Sequence, residues 1–331
     1  KEATLKEATL TGTITSTTNS LIYNNLNANL TVKEAILNLN KSGSAIVNDG
    51  TVSTLSNVSI NLNASGNGIY NGYYANIKDG GATINASAGS YGIYNLSKID
   101  DGFSDYVFNL KYDSYHPSYG IYSTGKEINV KNITVNDGIL YTAQDSKINF
   151  ENSTIKSRIF SYNHEIIKIN NSKINVYTNI VIGSYAELMF NNSIIMGPVY
   201  IGYNEDTKLK LENSELNGSI NAYSGEIYLQ NSMVNGSIYG GINSSNKVII
   251  DNSNVTASGN SRDNYMINIS DVVIKGKSVL TSTGFSSIYA NSVIIGEKDG
   301  NINSEYPKID NKSSSGDCIG ILSKNLKIYD G

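Results

Sequence analysis

The sequence predicts an all-β fold, a single right-handed parallel β-helix with about three strands in each ~20-residue coil. Three observations predict it. Apolar pairs recur about every 20 residues, an Asn follows seven of them in succession at fixed spacing, and the charge before those seven pairs changes sign from unit to unit with one apolar interruption.

The pairs are Ile128/Val130, Ile148/Phe150, Ile167/Ile169, Leu188/Phe190, Leu209/Leu211, Ile227/Leu229, Val248/Ile250, Val272/Ile274 and Val293/Ile295. The members of a pair flank one residue, so in a strand both side chains face the same way. Another apolar residue returns at Val135, Ile155, Ile174, Ile195, Leu216, Val234 and Val255. A third closes each unit, at Ile139, Ile159, Ile180, Ile201, Ile220 and Ile238. The unit that follows keeps the spacing with Gly276, Val279 and Ile288. One coil alone cannot bury its apolar face, whereas coils stacked at the ~4.8 Å separation of neighbouring strands can. About 13 or 14 such coils fit the chain.

The recurring amides are Asn132, Asn152, Asn171, Asn192, Asn213, Asn231 and Asn252. Asn tolerates left-handed backbone at a bend and hydrogen-bonds nearby main chain, so these positions are predicted to be architectural. Stacked coil on coil, their amides are expected to form a ladder buried in the turn.

The residue before each pair reads Glu127, Lys147, Ile166, Glu187, Lys208, Glu226 and Lys247. If these positions stack, each Glu faces a Lys one coil away. An exposed pair contributes at most ~1 kcal/mol. A slip by one coil, however, would set like charges opposite, so the row reads as a register device rather than a binding patch.

Residues 37–123 carry a longer unit, with LNLNKSGSAIVN, INLNASGNGIYN, ATINASAGSYGIYN and VFNLKYDSYHPSYGIYS as its members. The returning Gly-Ile-Tyr places Ile69, Ile93 and Ile121 in the core and Tyr70, Tyr94 and Tyr122 outward. Such a row is either a ring ladder that stabilises the solenoid or a platform on which sugar rings stack. Residues 1–30 are expected to form an N-terminal cap or first irregular coils, with brief helical turns in KEATLKEATL and at Val32–Leu37. Residues 31–331 are expected to be continuous β-helix with loop insertions near 100–118, 258–265 and 297–317.

The insertion at 100–118 brings together Tyr106, Tyr112 and Tyr115 with Asp100, Asp101 and Asp105. Insertions in solenoids map to loops that often bind. These tyrosines therefore join Tyr70, Tyr94 and Tyr122 as candidate ligand-binding residues. The three Asp are candidate Ca²⁺ ligands, although no EF-hand spacing and no GGxGxD repeat is present. No other cofactor is expected.

The chain has 331 residues, 24 Tyr, 3 Pro, no Trp and a net charge of −4, without a break in composition that would divide it. That balance gives no basic footprint for nucleic acid. No run approaches the ~18 apolar residues needed to span a bilayer, so this segment is not expected to insert into one. The single Cys318 excludes an internal disulfide and reads as a small buried hydrophobe. The opening KEATLKEATL and the closing KNLKIYDG read as the edges of a fragment of a longer repeat protein.

The GIYN and GIYS ends, the x-I-x-I-x-N-S units and the Asn-rich, Trp-free composition resemble passenger regions of bacterial surface adhesins, of autotransporter or cell-wall-attached type. The architecture is similar to the pectin-lyase-like β-helix superfold. This resemblance covers nearly the whole chain. It implies secretion, an extracellular place at the bacterial cell surface, and a glycan or a host or bacterial surface protein as partner. The same superfold hosts polysaccharide-degrading enzymes, which need carboxylates paired across a cleft or a Ca²⁺ cluster with an Arg base. Here Arg158 and Arg262 stand about five coils apart and His116 and His164 about two. Asp100 and Asp101 are adjacent, so a strand points them to opposite faces. The chain is therefore read as no enzyme. A structural filament segment, stacking end to end through unpaired strand edges, is the remaining alternative.

Overall fold

The computed structural model describes residues 7–329 apart from 17–18, 79, 98, 112, 114, 125–126, 142–144, 162, 177, 203–205, 259–264, 284–285, 297–306 and 313–319. Every helix or strand assigned among these residues is a strand. The fold is an all-β parallel β-solenoid of the right-handed type with about 12 turns. The expected 13 or 14 coils (about 20 residues each) are too many because the early coils are long. Asn48 stacks on Asn71, 23 residues on, and Asn95 on Ser123, 28 residues on. The chain divides into two compact units, Lys1–Tyr177 and Thr178–Gly331.

In the second unit the three-strand coil is regular. Glu187–Asn191, Ile194–Met196 and Val199–Ile201 pair in register with Lys208–Glu212, Glu215–Asn217 and Ile220–Ala222. Leu188, Phe190, Leu209, Leu211, Ile227, Leu229, Val248 and Ile250 all lie inside, as do Ile201, Ile220 and Ile238. Each such burial stabilises the fold by about 1.5–3 kcal/mol. The first unit has the same core at Ile128, Val130, Ile148, Phe150, Ile167 and Ile169, and at Ile69, Ile93 and Ile121.

Two inward positions differ from expectation. Leu140 and Leu280 are buried where Ile139 and Val279 were expected. Asp137 (φ 59°) and Gly138 (φ 66°) interrupt the register between Asn136 and Ile139. An extra residue at such a bulge moves every following side chain to the other face. After Gly276 (φ 59°) the bend is one residue longer, and Val255 pairs with Leu280.

All seven recurring Asn are left-handed, with φ between 47° for Asn252 and 52° for Asn132. The expected buried ladder, however, is not made by their amides, because all seven are exposed. The left-handed residue turns the corner with its own side chain outside and sends the next one inward. That next residue is Ile133 after Asn132 and Ser153, Ser172, Ser193, Ser214, Ser232 or Ser253 after the others, and each is buried. The backbone N–H groups of Ser193, Ser214 and Ser232 donate to the hydroxyls of Ser214, Ser232 and Ser253 at 3.0–3.1 Å. Those three hydroxyls donate to the carbonyl two residues earlier, at 2.7–2.8 Å.

Asparagine ladders run through the first unit at other positions. The buried amides of Asn24, Asn48 and Asn71 donate to the Oδ1 of Asn48, Asn71 and Asn95 at 2.7–2.8 Å. Asn95 then donates to Ser123 Oγ at 3.2 Å. A second, half-buried ladder joins Asn38, Asn61, Asn85, Asn109 and Asn136 at 2.7–2.9 Å. The predicted charge register holds. Glu127 pairs with Lys147 in the first unit, and Glu187, Lys208, Glu226 and Lys247 follow one another in the second. Lys147 Nζ is 2.7 Å from Glu127 Oε1, and Lys247 Nζ is 3.8 Å from Glu226 Oε1.

Where the residues are described, the expected helical turns are strands, and residues 1–6 of KEATLKEATL lie outside the described residues. Glu7–Ser16 pairs in parallel with Asn29–Leu39, which contains Val32–Leu37. Most of the stretch expected as an insertion at 100–118 also belongs to coils. Ile99–Ser104 and Val107–Asn109 pair with neighbouring strands, and the loop proper is 110–118. Within 297–317, Lys308–Asn311 pairs with Val279–Thr283. The rest of that loop apart from 307 and 312, most of the 258–265 loop, and Cys318 lie outside the described residues.

Candidate functional site

Strands Gly66–Asn71, Tyr91–Asn95 and Tyr119–Ser123 stack in register, so Tyr70, Tyr94 and Tyr122 form a column and Tyr91 lies beside Tyr119. Strict alternation would turn Tyr91 inward, since Ile93 is inside. Instead Gly92 and Ile93 both face the core and Tyr91 and Tyr94 both face out. A Cβ on Gly92 would lie 2.5 Å from Phe108 Cδ1 and 2.6 Å from the Gly120 carbonyl oxygen, so the close approach requires glycine. The repeated Tyr-Gly-Ile-Tyr was the signal for this second column.

The rings of Tyr70 and Tyr94 stack at 5.6 Å, those of Tyr94 and Tyr122 at 4.6 Å, and those of Tyr91 and Tyr119 at 5.0 Å. Tyr91 meets Tyr94 edge-on at 5.4 Å. Stacking of this kind covers ring faces, so the columns offer mainly ring edges and hydroxyls to a ligand. Free ring faces are found at the flanking corners, where Tyr73 and Tyr74 are 70% and 89% exposed and Tyr115 is 87% exposed. Tyr115 stands on the 110–118 loop, which Ser118 closes by donating from its hydroxyl to the Lys111 carbonyl at 2.7 Å. The Gly89 N–H donates to the His116 carbonyl at 2.9 Å, holding that loop against the turn before Tyr91.

Burial raises the phenol pKa of Tyr70, Tyr91 and Tyr94, and neighbouring phenols raise it further. Tyr73 acts in this way on both Tyr70 and Tyr94, and Asp49 acts on Tyr70. Asp49 also accepts a hydrogen bond from the Tyr23 hydroxyl at 2.5 Å. The three strands, GNGIYN, YGIYN and YGIYS, carry no charged residue. The two columns are thus uncharged, aromatic and rich in hydroxyls, with the Asp49 carboxylate at the Tyr70 edge.

Not every expected site residue belongs to it. Tyr106 is fully buried, against Phe103 at 5.3 Å and Phe108 at 6.0 Å, and so cannot meet a ligand at the surface. The cause is Asp105, a left-handed residue (φ 64°) one coil before Asn132, which sends its successor inward as Asn does elsewhere. The Asp105 carboxylate accepts from Ser104 Oγ at 2.6 Å and from Asn132 Nδ2 at 3.2 Å. Asp100 and Asp101 lie in strand Ile99–Ser104, and their side chains, like Tyr112, are outside the described residues. Among the described residues no group of three or more His, Cys, Asp or Glu is placed to hold a metal ion. No protein-family model, curated protein or solved structure matches the chain.

Proposed function

We propose that the chain is part of a non-catalytic bacterial surface protein, an adhesin or display stalk, that binds a neutral glycan through the tyrosine face of its first unit. The observation that carries this reading is the uncharged cluster of Tyr70, Tyr91, Tyr94, Tyr119 and Tyr122, flanked by exposed Tyr73 and Tyr115. Sugar hydroxyls suit the phenol hydroxyls, and the apolar side of a pyranose suits a free ring face. An extracellular place at the cell surface follows from the same reading. A glycan-array screen with and without Ca²⁺, repeated with Tyr73→Ala and Tyr115→Ala, tests it. Selective binding that weakens in these variants supports it, and loss of binding in EDTA would bring Asp100 and Asp101 into the site. An array blank in both conditions overturns the glycan reading and leaves a protein partner.

A second reading is a structural segment that stacks end to end through its coil edges, as strand Ile321–Ile328 illustrates. Leu326 and Ile328 pair with Val293 and Ile295, yet are 48% and 60% exposed. A further parallel strand laid on them, from the same chain or another molecule, would bury both.

A further inference from the structure

One outer sheet face of the second unit differs in kind from the tyrosine face. Its strands are Lys208–Glu212, Gly225–Gln230, Asn246–Asp251, Asp271–Lys275 and the end of Ser286–Ile295. Three outward columns run across them. The central one is Lys210, Tyr228, Ile249, Val273 and Ile294. Outward positions of a solvated sheet are ordinarily polar. In the first unit the outward column Asn129, Asn149, Lys168 follows that rule. Here four successive coils place an apolar side chain outside, each of them partly exposed.

The columns on either side are charged. One reads Lys208, Glu226, Lys247, Asp271 and the other Glu212, Gln230, Asp251, Lys275. Within a strand the two ends therefore carry opposite signs at Lys208/Glu212, Lys247/Asp251 and Asp271/Lys275. Consider a second copy facing this sheet across a two-fold axis parallel to the stack. The axis exchanges the two ends of each strand and keeps each coil at its own level. Lys247 then meets the other copy's Asp251, Asp271 meets its Lys275, and Lys208 meets its Glu212. The apolar column meets itself, Ile249 on Ile249 and Val273 on Val273. Reversing the second copy also brings opposite charges together, but at fewer sites: with the axis between the Lys247 and Asp271 strands, Lys247 meets Asp271 and Asp251 meets Lys275, while Lys208 and Glu226 lose their partners.

We propose that this face is a self-association surface whose occupant is a second copy of the chain, packed face to face with its coils running in the same direction. The argument for that occupant is the match of charges strand by strand around an apolar stripe. The in-strand spacing of four residues makes the patch about 13 Å wide, and five strands make it roughly 250 Å² in area. A standard interface covers about 800 Å² on each partner, so the association is weak and appears at high local concentration, as on a crowded surface.

Sedimentation of the full chain over a micromolar to millimolar series tests this, with far-UV circular dichroism to show that each variant is folded. The wild type is expected to show a mass that rises towards a dimer, and Ile249→Asp to remain a monomer. Lys247→Glu sets Glu against Asp251 twice across the axis and should also abolish association. Adding Asp251→Lys to it restores opposite signs across the axis, while setting like charges beside Glu226, Asp271 and Lys275 within each chain, and should recover the dimer. A wild type that stays monomeric throughout overturns the proposal. So does association that Ile249→Asp leaves intact, and failure of the double variant to recover overturns the parallel arrangement.

Discussion

Asn48 donates from Nδ2 to the Oδ1 of Asn71 at 2.7 Å, and the same Nδ2 donates to the Asn76 carbonyl at 3.0 Å. Both amides are fully buried. Asn71 in turn donates to Asn95 at 2.8 Å and to the Ala75 carbonyl at 3.3 Å. Each amide thus satisfies the one before it and the turn beside it.

Removing a rung leaves its neighbours buried without partners. Asn71→Ala is expected to cost about 2–3 kcal/mol, the upper part of the range for an unsatisfied buried polar group. Urea unfolding checks this, and a loss too small to resolve would show that the ladder relaxes around the gap.

What the seven corner asparagines share is the left-handed backbone. Asn213 is exposed at φ 48°. Replacing it with Gly should change stability by less than about 0.5 kcal/mol, because Gly adopts this conformation freely. Asn213→Val should cost roughly 1–2 kcal/mol, the steric penalty of left-handed backbone. Equal melting temperatures for the two variants would refute this.

Lys208 lies between Glu187 and Glu226. Lys208→Glu sets three like charges in a row and is expected to destabilise the fold by about 1 kcal/mol at low salt. The loss should largely vanish in 1 M salt, where the screening length falls to about 3 Å. A salt-independent loss points to packing of the Lys stem instead.

The phenols of Tyr70, Tyr91 and Tyr94 have raised pKa values in the fold, and burial raises that of Tyr106 furthest. A raised pKa means that the neutral form is favoured by folding. Their contribution is therefore fully present below the unfolded value of about 10 and is lost as pH climbs through the folded values. Thermal midpoints should hold steady up to that pH and then fall. Tyr106→Phe should blunt the fall and, at neutral pH, leave stability unchanged or higher, since the Tyr106 hydroxyl has no hydrogen-bond partner among the described residues. An alkaline fall as steep in Tyr106→Phe as in the wild type would clear this buried phenol of responsibility.

The core was legible because its signal is local and repeated. Pairs such as Ile148/Phe150 need only strand alternation to face inward together, and the left-handed corner needs only the recurring Asn. The candidate site was legible in part. The column of Tyr70, Tyr94 and Tyr122 follows from alternation after Ile69, Ile93 and Ile121. Tyr91 and Tyr119 did not follow, because the break at Gly92 reverses the face of the residue before it. Tyr106 was misplaced because Asp105 turns a corner in place of Asn.

By itself the sequence determined the period, the inward residues of each regular coil, and the alternating charges that fix which coil lies on which. These are set by covalent spacing and side-chain chemistry within one repeat. Only the tertiary structure decided which polar side chains lie inside. Asn132 and Asn71 are the same residue type, yet one is exposed at a left-handed bend and the other forms a rung of a buried ladder. The difference is the direction of the Cβ at each corner, which depends on bulges and bend lengths that one-residue changes reset.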